Sequence, residues 1–249
     1  MSAFAMTPAV RSMGLALLLA AAPAAAQQSA PREGRALPSA EEVLAGYHAA
    51  AGGRERLAAI RDGVFEWRTE SGGRPLGTAV SRRMVPGSLL EQLANGAVNV
   101  NAPSLTWRRR PDGTVMVDSS AGVVRGRLQA SLEASYLVGL AQQGITARVT
   151  GADSVDGELA YRVEFGRGGA TRTYLMGATS RLPLRILLDE ARGIEIRYGD
   201  YRPVEGVMEA HRVEIAMGGG NSLVFLLASA RHNTGLTDRD FLPPSAVAP

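Results

Sequence analysis

The side chains that could carry out chemistry are few and scattered in this sequence. The three histidines, His48, His211 and His232, lie in separate contexts without a His-x-x-x-His pair, and the chain contains no cysteine. Because zinc sites are built from closely spaced Cys and His ligands, the sequence indicates no metal site. We therefore interpret each histidine as a surface or helix-end residue.

The acidic pairs and the glycine-rich run are also better explained by turns than by catalysis. Asp238 lies close to Asp240 and Asp189 precedes Glu190, but neither pair has the apolar surroundings that would separate two carboxyl pKa values. The run Gly218–Asn221 lies between two predicted strands, which favours a hairpin over a phosphate site. No Gly-x-Ser-x-Gly motif occurs, and without lysine there is no phosphate loop ending in Gly-Lys. We predict neither an enzyme nor a cofactor, although a site built from scattered residues stays open.

The charge balance gives no indication of nucleic-acid binding. The chain has 27 basic residues against 24 acidic ones. The densest basic cluster, Arg108–Arg110, follows Trp107 and precedes the turn Pro111–Gly113, which is typical of a solvated strand end. It is far from a basic stripe with interleaved aromatic residues. Membrane headgroups or an acidic partner remain possible ligands of this cluster.

The N-terminus has the pattern of an export signal. Arg11 precedes an apolar run from Met13 to Ala22, and Ala24–Ala26 supplies small residues for cleavage before Gln27. The run is short for a membrane span, so a retained anchor is the less favoured alternative. The mature protein is expected to be exported, soluble and periplasmic, with no lipid-modified cysteine and no integral membrane span.

The rest of the chain is predicted to form a single domain between flexible ends. Residues 27–38 are polar and rich in Pro, Ser and Gly, which predicts a flexible leader after the signal at 1–26. The last residues, 243–249, are predicted to form a flexible tail. The domain itself is expected over 39–242.

Three stretches predict helices. Ser39 and Glu42 have the spacing of a capping box, which indicates a helix that ends at Gly52–Gly53. A second short helix is expected over Arg54–Ile60. From Gly126 to Gln142, leucine and tyrosine residues recur every fourth position, which predicts a third helix lying across the sheet.

Most of the remaining chain alternates apolar and polar residues between turns, as in Tyr161–Phe165, Ile194–Tyr198 and Arg212–Met217. About ten such strands are more than a flat sheet usually holds, so a sandwich, a closed barrel and a part-barrel are the alternatives. We favour a mainly β (α+β) fold, a strongly curved antiparallel sheet or half-barrel with helices covering its concave face.

Two strands are apolar on both faces, which predicts that both faces are covered. These strands are Leu182–Leu188 and Asn221–Leu227. One face would pack in the core, and the other would meet helices, a partner or a ligand. A plain hydrophobic core covered by helices explains the pattern equally well.

Several stretches resemble periplasmic proteins related to the outer-membrane lipoprotein-sorting LolA and LolB group. These stretches are Ser39–Leu44, Ala51–Ile60, Val155–Tyr161, Ala178–Arg185, Tyr198–Val207 and Phe241–Pro244. The resemblance implies a half-open antiparallel barrel capped by helices, with a hollow that can hold acyl chains. It therefore implies a periplasmic carrier of lipid, acyl chains or a lipoprotein. The alternative is an envelope accessory or scaffold protein that binds a protein partner without a lipid site.

Burial of lipid methylenes, at about 0.8 kcal/mol each, would drive binding in such a hollow. The inward-facing apolar residues of the strands and of the third helix are the candidate lining. They are Phe65, Trp67, Tyr136, Leu140, Tyr161, Val163, Phe165, Ile194, Ile196, Tyr198, Val213, Ile215, Met217, Leu223, Phe225 and Leu227.

Overall fold

The computed structural model describes residues 36–118 and 122–244. The predicted export signal, residues 27–35 of the leader and residues 245–249 of the tail lie outside this part of the chain, so those assignments stay predictions. Within the described residues, no helix is both long enough and apolar enough to cross a membrane.

Three α-helices cover one face of the sheet: α1 (Ala40–Ala51), α2 (Arg54–Ala59) and α3 (Gly122–Ala134). The capping box predicted at the start of α1 is present. The Glu42 carboxylate accepts from the Ser39 backbone N–H at 2.7 Å, and Ser39 Oγ accepts from the Glu42 N–H at 3.2 Å.

The third helix ends earlier than its sequence pattern predicts. It stops at Ala134 rather than near Gln142, because Tyr136 and Leu137 take positive φ angles of 49° and 56°. A 3-10 turn, Ala141–Gln143, follows. Tertiary packing outweighs helix periodicity here, since the Tyr136 hydroxyl reaches a buried carboxylate on the sheet.

The sheet has 13 strands rather than about ten. The strands are β1 (Asp62–Ser71), β2 (Arg74–Met84), β3 (Ser88–Gln92), β4 (Val98–Asn101), β5 (Thr106–Arg109), β6 (Val115–Val117), β7 (Thr146–Val155), β8 (Glu158–Arg167), β9 (Ala170–Gly177), β10 (Pro183–Asp189), β11 (Ile194–Val204), β12 (Val207–Met217) and β13 (Ser222–His232).

All neighbouring strands are antiparallel, in the order β6-β5-β4-β3-β2-β1-β13-β12-β11-β10-β9-β8-β7. The first strand pairs with the last in the middle, and the sheet is open, with β6 and β7 at its edges. Helix α3 connects these edges in sequence and contacts β2, β3 and β4 on one side and β9 on the other. The sheet must therefore curve around α3, as the predicted half-barrel requires.

The sheet buries residues on both faces. The main core lies under the helices, where Leu128 and Leu132 of α3 pack with Val163, Phe165 and Ile186. On the opposite face of the first half, a smaller cluster joins Leu90 and Val100 to Trp107 and Phe241. Trp107 Nε1 donates to the Phe241 carbonyl at 2.7 Å, which holds the C-terminal segment against the sheet.

Helix α3 lies very close to the turn between β2 and β3. A β-carbon added at Gly87 would overlap Ser131 Oγ and lie 3.1 Å from Ser131 Cα. Because one of these atoms is backbone, the helix itself would have to move.

We expect Gly87→Ala to lower the free energy of unfolding by about 1–3 kcal/mol, the usual cost of overpacking. Urea unfolding followed by circular dichroism measures this change. Gly199→Ala is the matched control, because an added β-carbon at that position meets nothing within 4 Å. Equal stability of the two variants would contradict the close approach of α3.

Candidate functional site

The concave face contains a cleft made of three neighbouring cavities that share lining residues. The central cavity, of about 60 Å³, shares Trp67, Arg83 and Val213 with an inner cavity of about 80 Å³. It shares Leu93 and Phe225 with an outer cavity of about 290 Å³. The cleft therefore runs along the middle of the sheet, beneath α3.

Strand alternation and register place the apolar wall of this cleft. Trp67 lies opposite Ala79 on β2, and Phe225 lies opposite Val213 on β12, so these side chains share the concave face. Trp67 Nε1 donates to Ser81 Oγ at 3.0 Å, which satisfies the indole N–H inside the cleft.

The predicted lining residues fall into three groups. Those that line the cleft are Trp67, Tyr136, Ile196, Tyr198, Val213, Ile215, Leu223 and Phe225. Those packed in filled parts of the core are Phe65, Tyr161, Val163, Phe165 and Leu227. Ile194 pairs with Met217, which is 52% exposed, and Leu140 lines a separate cavity beside α1.

Polar and charged side chains also line the cleft, which the apolar pattern did not predict. Arg83 Nη2 lies 3.4 Å from Glu133 Oε2 on α3, and the two side chains are only 17% and 15% exposed. The Arg83 guanidinium also lies 4.5 Å from the centre of the Phe65 ring, a cation–π contact. Gln129 Nε2 donates to Glu133 Oε1 at 2.7 Å. The lid helix α3 is thus held to the cleft floor by a largely buried ion pair.

Burial by itself lowers the pKa of Arg83, but the carboxylates of Glu133 and Glu209 outweigh this effect and raise it. The guanidinium therefore stays charged. Glu91, which lines the central cavity, has its pKa raised to about 7 by burial and by the negative charge of Glu133, partly offset by Arg83. The central cavity thus contains a carboxyl group that titrates near neutral pH.

A second polar network holds the turn after α3 against the sheet. The Tyr136 hydroxyl donates to Glu209 Oε1 at 2.6 Å and lies 3.2 Å from His232 Nε2. The His232 ring lies between Glu209, at 3.0 Å, and Glu205, at 3.1 Å. Burial lowers the pKa of His232, but its hydrogen bonds to Glu209 and Glu205 and the charges of both carboxylates raise it overall.

The interpretation of His232 as a surface or helix-end residue is therefore wrong, because its side chain is only 3% exposed on β13. His48 does lie at the end of α1, but it is buried, with Nε2 3.1 Å from the Leu137 carbonyl oxygen. His211 is half-buried on β12, and its Nδ1 lies 3.1 Å from the Glu209 carbonyl oxygen. In the described part of the chain, no group of three or more His, Cys, Asp or Glu side chains could hold a metal ion.

No family model matches this sequence, and no curated protein matches it. Among solved structures, it is similar to a DUF1329 family protein from Desulfovibrio piger, with a TM-score of 0.51 and 13% identity over 84% of this chain and 99% of that one. It is equally similar to a LolA superfamily protein from Nitrosomonas europaea, with a TM-score of 0.51 and 13% identity over 83% and 98% of the two chains. The chain therefore has a LolA-like fold, as the sequence resemblance implied.

We expect Glu91→Gln to stabilise the protein at alkaline pH. With a folded pKa of about 7 against an ordinary value of 4.5, the carboxyl binds its proton more tightly in the folded state. Its contribution to stability therefore falls as pH rises through this range, and the neutral variant avoids that loss. A gain of roughly 1 kcal/mol is expected at pH 8 and almost none at pH 4.

Thermal unfolding across pH measures this difference, with exposed Glu55→Gln as the control for loss of a negative charge. A Glu91→Gln gain that is the same at pH 4 and pH 8 would contradict the assignment.

We expect His232→Gln to destabilise the protein more in acid than in alkali. Because its folded pKa is raised above 6.5, the protonated ring stabilises the fold fully below pH 6.5 and loses this effect as pH rises through the folded pKa. Urea unfolding at pH 5.5 and pH 9 measures how much the substitution lowers the free energy of unfolding at each pH. His211→Gln is the matched control, and an equal pH dependence in both variants would argue against the network.

Proposed function

We propose that this protein is an envelope binding or carrier protein that holds a lipid acyl chain, or the acyl group of a lipoprotein, in the cleft. The observation that supports this function best is the cleft itself, whose walls are mainly aromatic and aliphatic side chains from eight strands of the sheet. The LolA-like fold and the predicted export signal are consistent with a periplasmic location.

Cavity volumes suggest where an acyl chain would enter. The inner and central cavities are each smaller than the roughly 150 Å³ that holds one benzene molecule, whereas the outer cavity is about twice that size. We propose that a chain end enters between Leu76, Leu93 and Leu223, which line the outer cavity. Deeper insertion then requires side chains or α3 to move.

The energetic gain depends on that deeper insertion. Four buried methylenes would contribute only about 3 kcal/mol, and a dozen about 10 kcal/mol, before the costs of ordering the ligand. Stable binding of a long chain therefore favours an open state in which the outer, central and inner cavities merge.

Two polar contacts, one made by α3 and one by the turn after it, would limit such opening. Moving α3 outward separates Glu133 from Arg83, and moving the turn after it separates Tyr136 from Glu209. Breaking a buried ion pair leaves an uncompensated charge, so the closed state is favoured until a ligand occupies the cleft. We propose that ligand binding and lid opening are coupled in this way.

A binding role is also preferred to a catalytic one on chemical grounds. The side chains around His232 are a tyrosine and two glutamates that hydrogen-bond to the ring, and no serine or cysteine hydroxyl or thiol takes part in this described network. The network fits a structural role, in which it holds the turn after α3 against the sheet.

We expect Ile215→Trp to weaken binding of a fluorescent long-chain fatty acid at least about tenfold, because the larger side chain fills the central cavity. The mature chain, residues 27–249, would be purified without detergent and titrated with the probe, and its bound lipids would be extracted for mass spectrometry. Leu159→Trp is the control, since Leu159 is 53% exposed and outside the cleft lining.

Stoichiometric acyl species in the extract, together with weaker probe binding by Ile215→Trp alone, would support the carrier function. An empty protein that binds no probe would contradict it. If a protein partner then co-purified in fixed ratio, the scaffold alternative would take its place.

A further inference from the structure

A polar slot opens where strands β9 and β10 separate. The last paired residues are Thr173 and Leu187, after which β9 stays with β8 and the end of β10 stays with β11. The resulting cavity, of about 350 Å³, is lined mainly by polar atoms. It lies outside the acyl-chain cleft, since it shares no lining residue with the three cavities of the cleft.

Two arginines line this slot without any partner among the described residues. Arg172, on the concave face of β9, is 9% exposed, and its Nε has no hydrogen-bond partner. Arg125, in the first turns of α3, lines the same slot and makes no hydrogen bond or ion pair within the described chain. Burial lowers the pKa of Arg172, and the positive charge of Arg125 lowers it further, partly offset by Tyr174 and by the carboxylate of Glu133.

The carboxylates at the slot are already engaged elsewhere. Glu190 accepts two hydrogen bonds from Arg162, at 2.8 and 2.9 Å. Asp189 caps the backbone N–H of Arg192 and pairs with its guanidinium at 3.7 Å. Neither acid neutralises Arg125 or Arg172, so the slot retains an excess of positive charge.

A buried, unpaired guanidinium is costly for a fold to maintain. Two guanidinium groups, each with a planar fork of donors, suit the oxygens of a phosphate group, and Thr171 and Thr173 also line the slot. An ordered water takes up about 30 Å³, so the slot is large enough for a phosphate group with part of its hydration shell.

We propose that this slot is a binding site for a phosphate-class oxyanion, held by Arg172 and Arg125. The group could belong to inorganic phosphate or to the headgroup of an amphiphile. Arg172 is only two residues from Tyr174 of the inner cavity, a strand distance of about 7 Å, so a headgroup here could carry a chain into the cleft. The proposal goes beyond the carrier function and does not depend on it.

The test measures binding of inorganic phosphate and of dodecyl phosphate to the full mature chain by isothermal titration calorimetry. Arg172→Gln and Arg125→Gln are each expected to weaken binding at least about tenfold, the loss of a charge-assisted hydrogen bond. Arg202→Gln is the matched control, because it removes the same charge from an exposed pair with Asp200 far from the slot. Arg172→Gln is also expected to melt no lower than the wild type, since it removes an unpaired buried charge.

The two ligands distinguish the source of the oxyanion. Equal affinity for both would identify a site for free phosphate, and tighter binding of dodecyl phosphate would identify a headgroup site. Both results support the proposal if the slot variants lose binding and Arg202→Gln retains it. No binding of either ligand, or equal losses in all three variants, would overturn it. A neutral fluorescent fatty alcohol should bind the slot variants and the wild type alike, so failure of the oxyanion site remains separate from failure of the carrier function.

Discussion

The pairing of β1 with β13 is the constraint on which the rest of the structure depends. It joins two antiparallel meanders into one sheet and brings Trp67, which lines the cleft, beside Leu227 of the packed core. The Asp62 carboxylate secures this junction by accepting from the N–H and hydroxyl of Thr234, both at 2.6 Å, and from the N–H of Gly235 at 3.2 Å. Contacts between residues so far apart in sequence form only after the chain has closed a long loop, which makes this pairing the costliest step to organise.

The curvature that follows from this junction brings both halves of the sheet into contact with α3. A helix that contacts both halves of an open sheet serves as part of the core and as a lid over a hollow. Its apolar contacts, through Leu128 and Leu132, resemble those of any core helix. The polar contacts of α3 and of the turn after it, from Glu133 to Arg83 and from Tyr136 to Glu209, are made where the cleft lies.

Buried charge is the feature that separates this interior from a plain hydrophobic core. Arg83, Glu91 and Arg172 each lie on the concave face, where apolar side chains of similar volume would give a more stable protein. Arg83 is compensated by carboxylates, Glu91 is partly neutralised by its raised pKa, and Arg172 has no described partner. A fold can retain such groups at a stability cost where binding requires them, as at the cleft and the slot.

Local pattern in the sequence determined the secondary structure and the direction of the side chains. The capping box at Ser39, the alternation along β11 and β12, and the LolA-like stretches all predicted elements that the structure contains, because these signals act over two to four residues. The alternation also placed Ile196, Tyr198 and Val213 on the cleft face.

Only the tertiary structure decided which inward residues meet a cavity and which meet each other. Arg83 looks like a solvated strand residue until strand pairing and the crossing of α3 put Glu133 beside it, and the separation of β9 from β10 depends on where their pairing ends. Arg83 and Glu133 lie 50 positions apart in sequence, and Arg125 and Arg172 of the slot lie 47 apart, beyond the range of any local pattern.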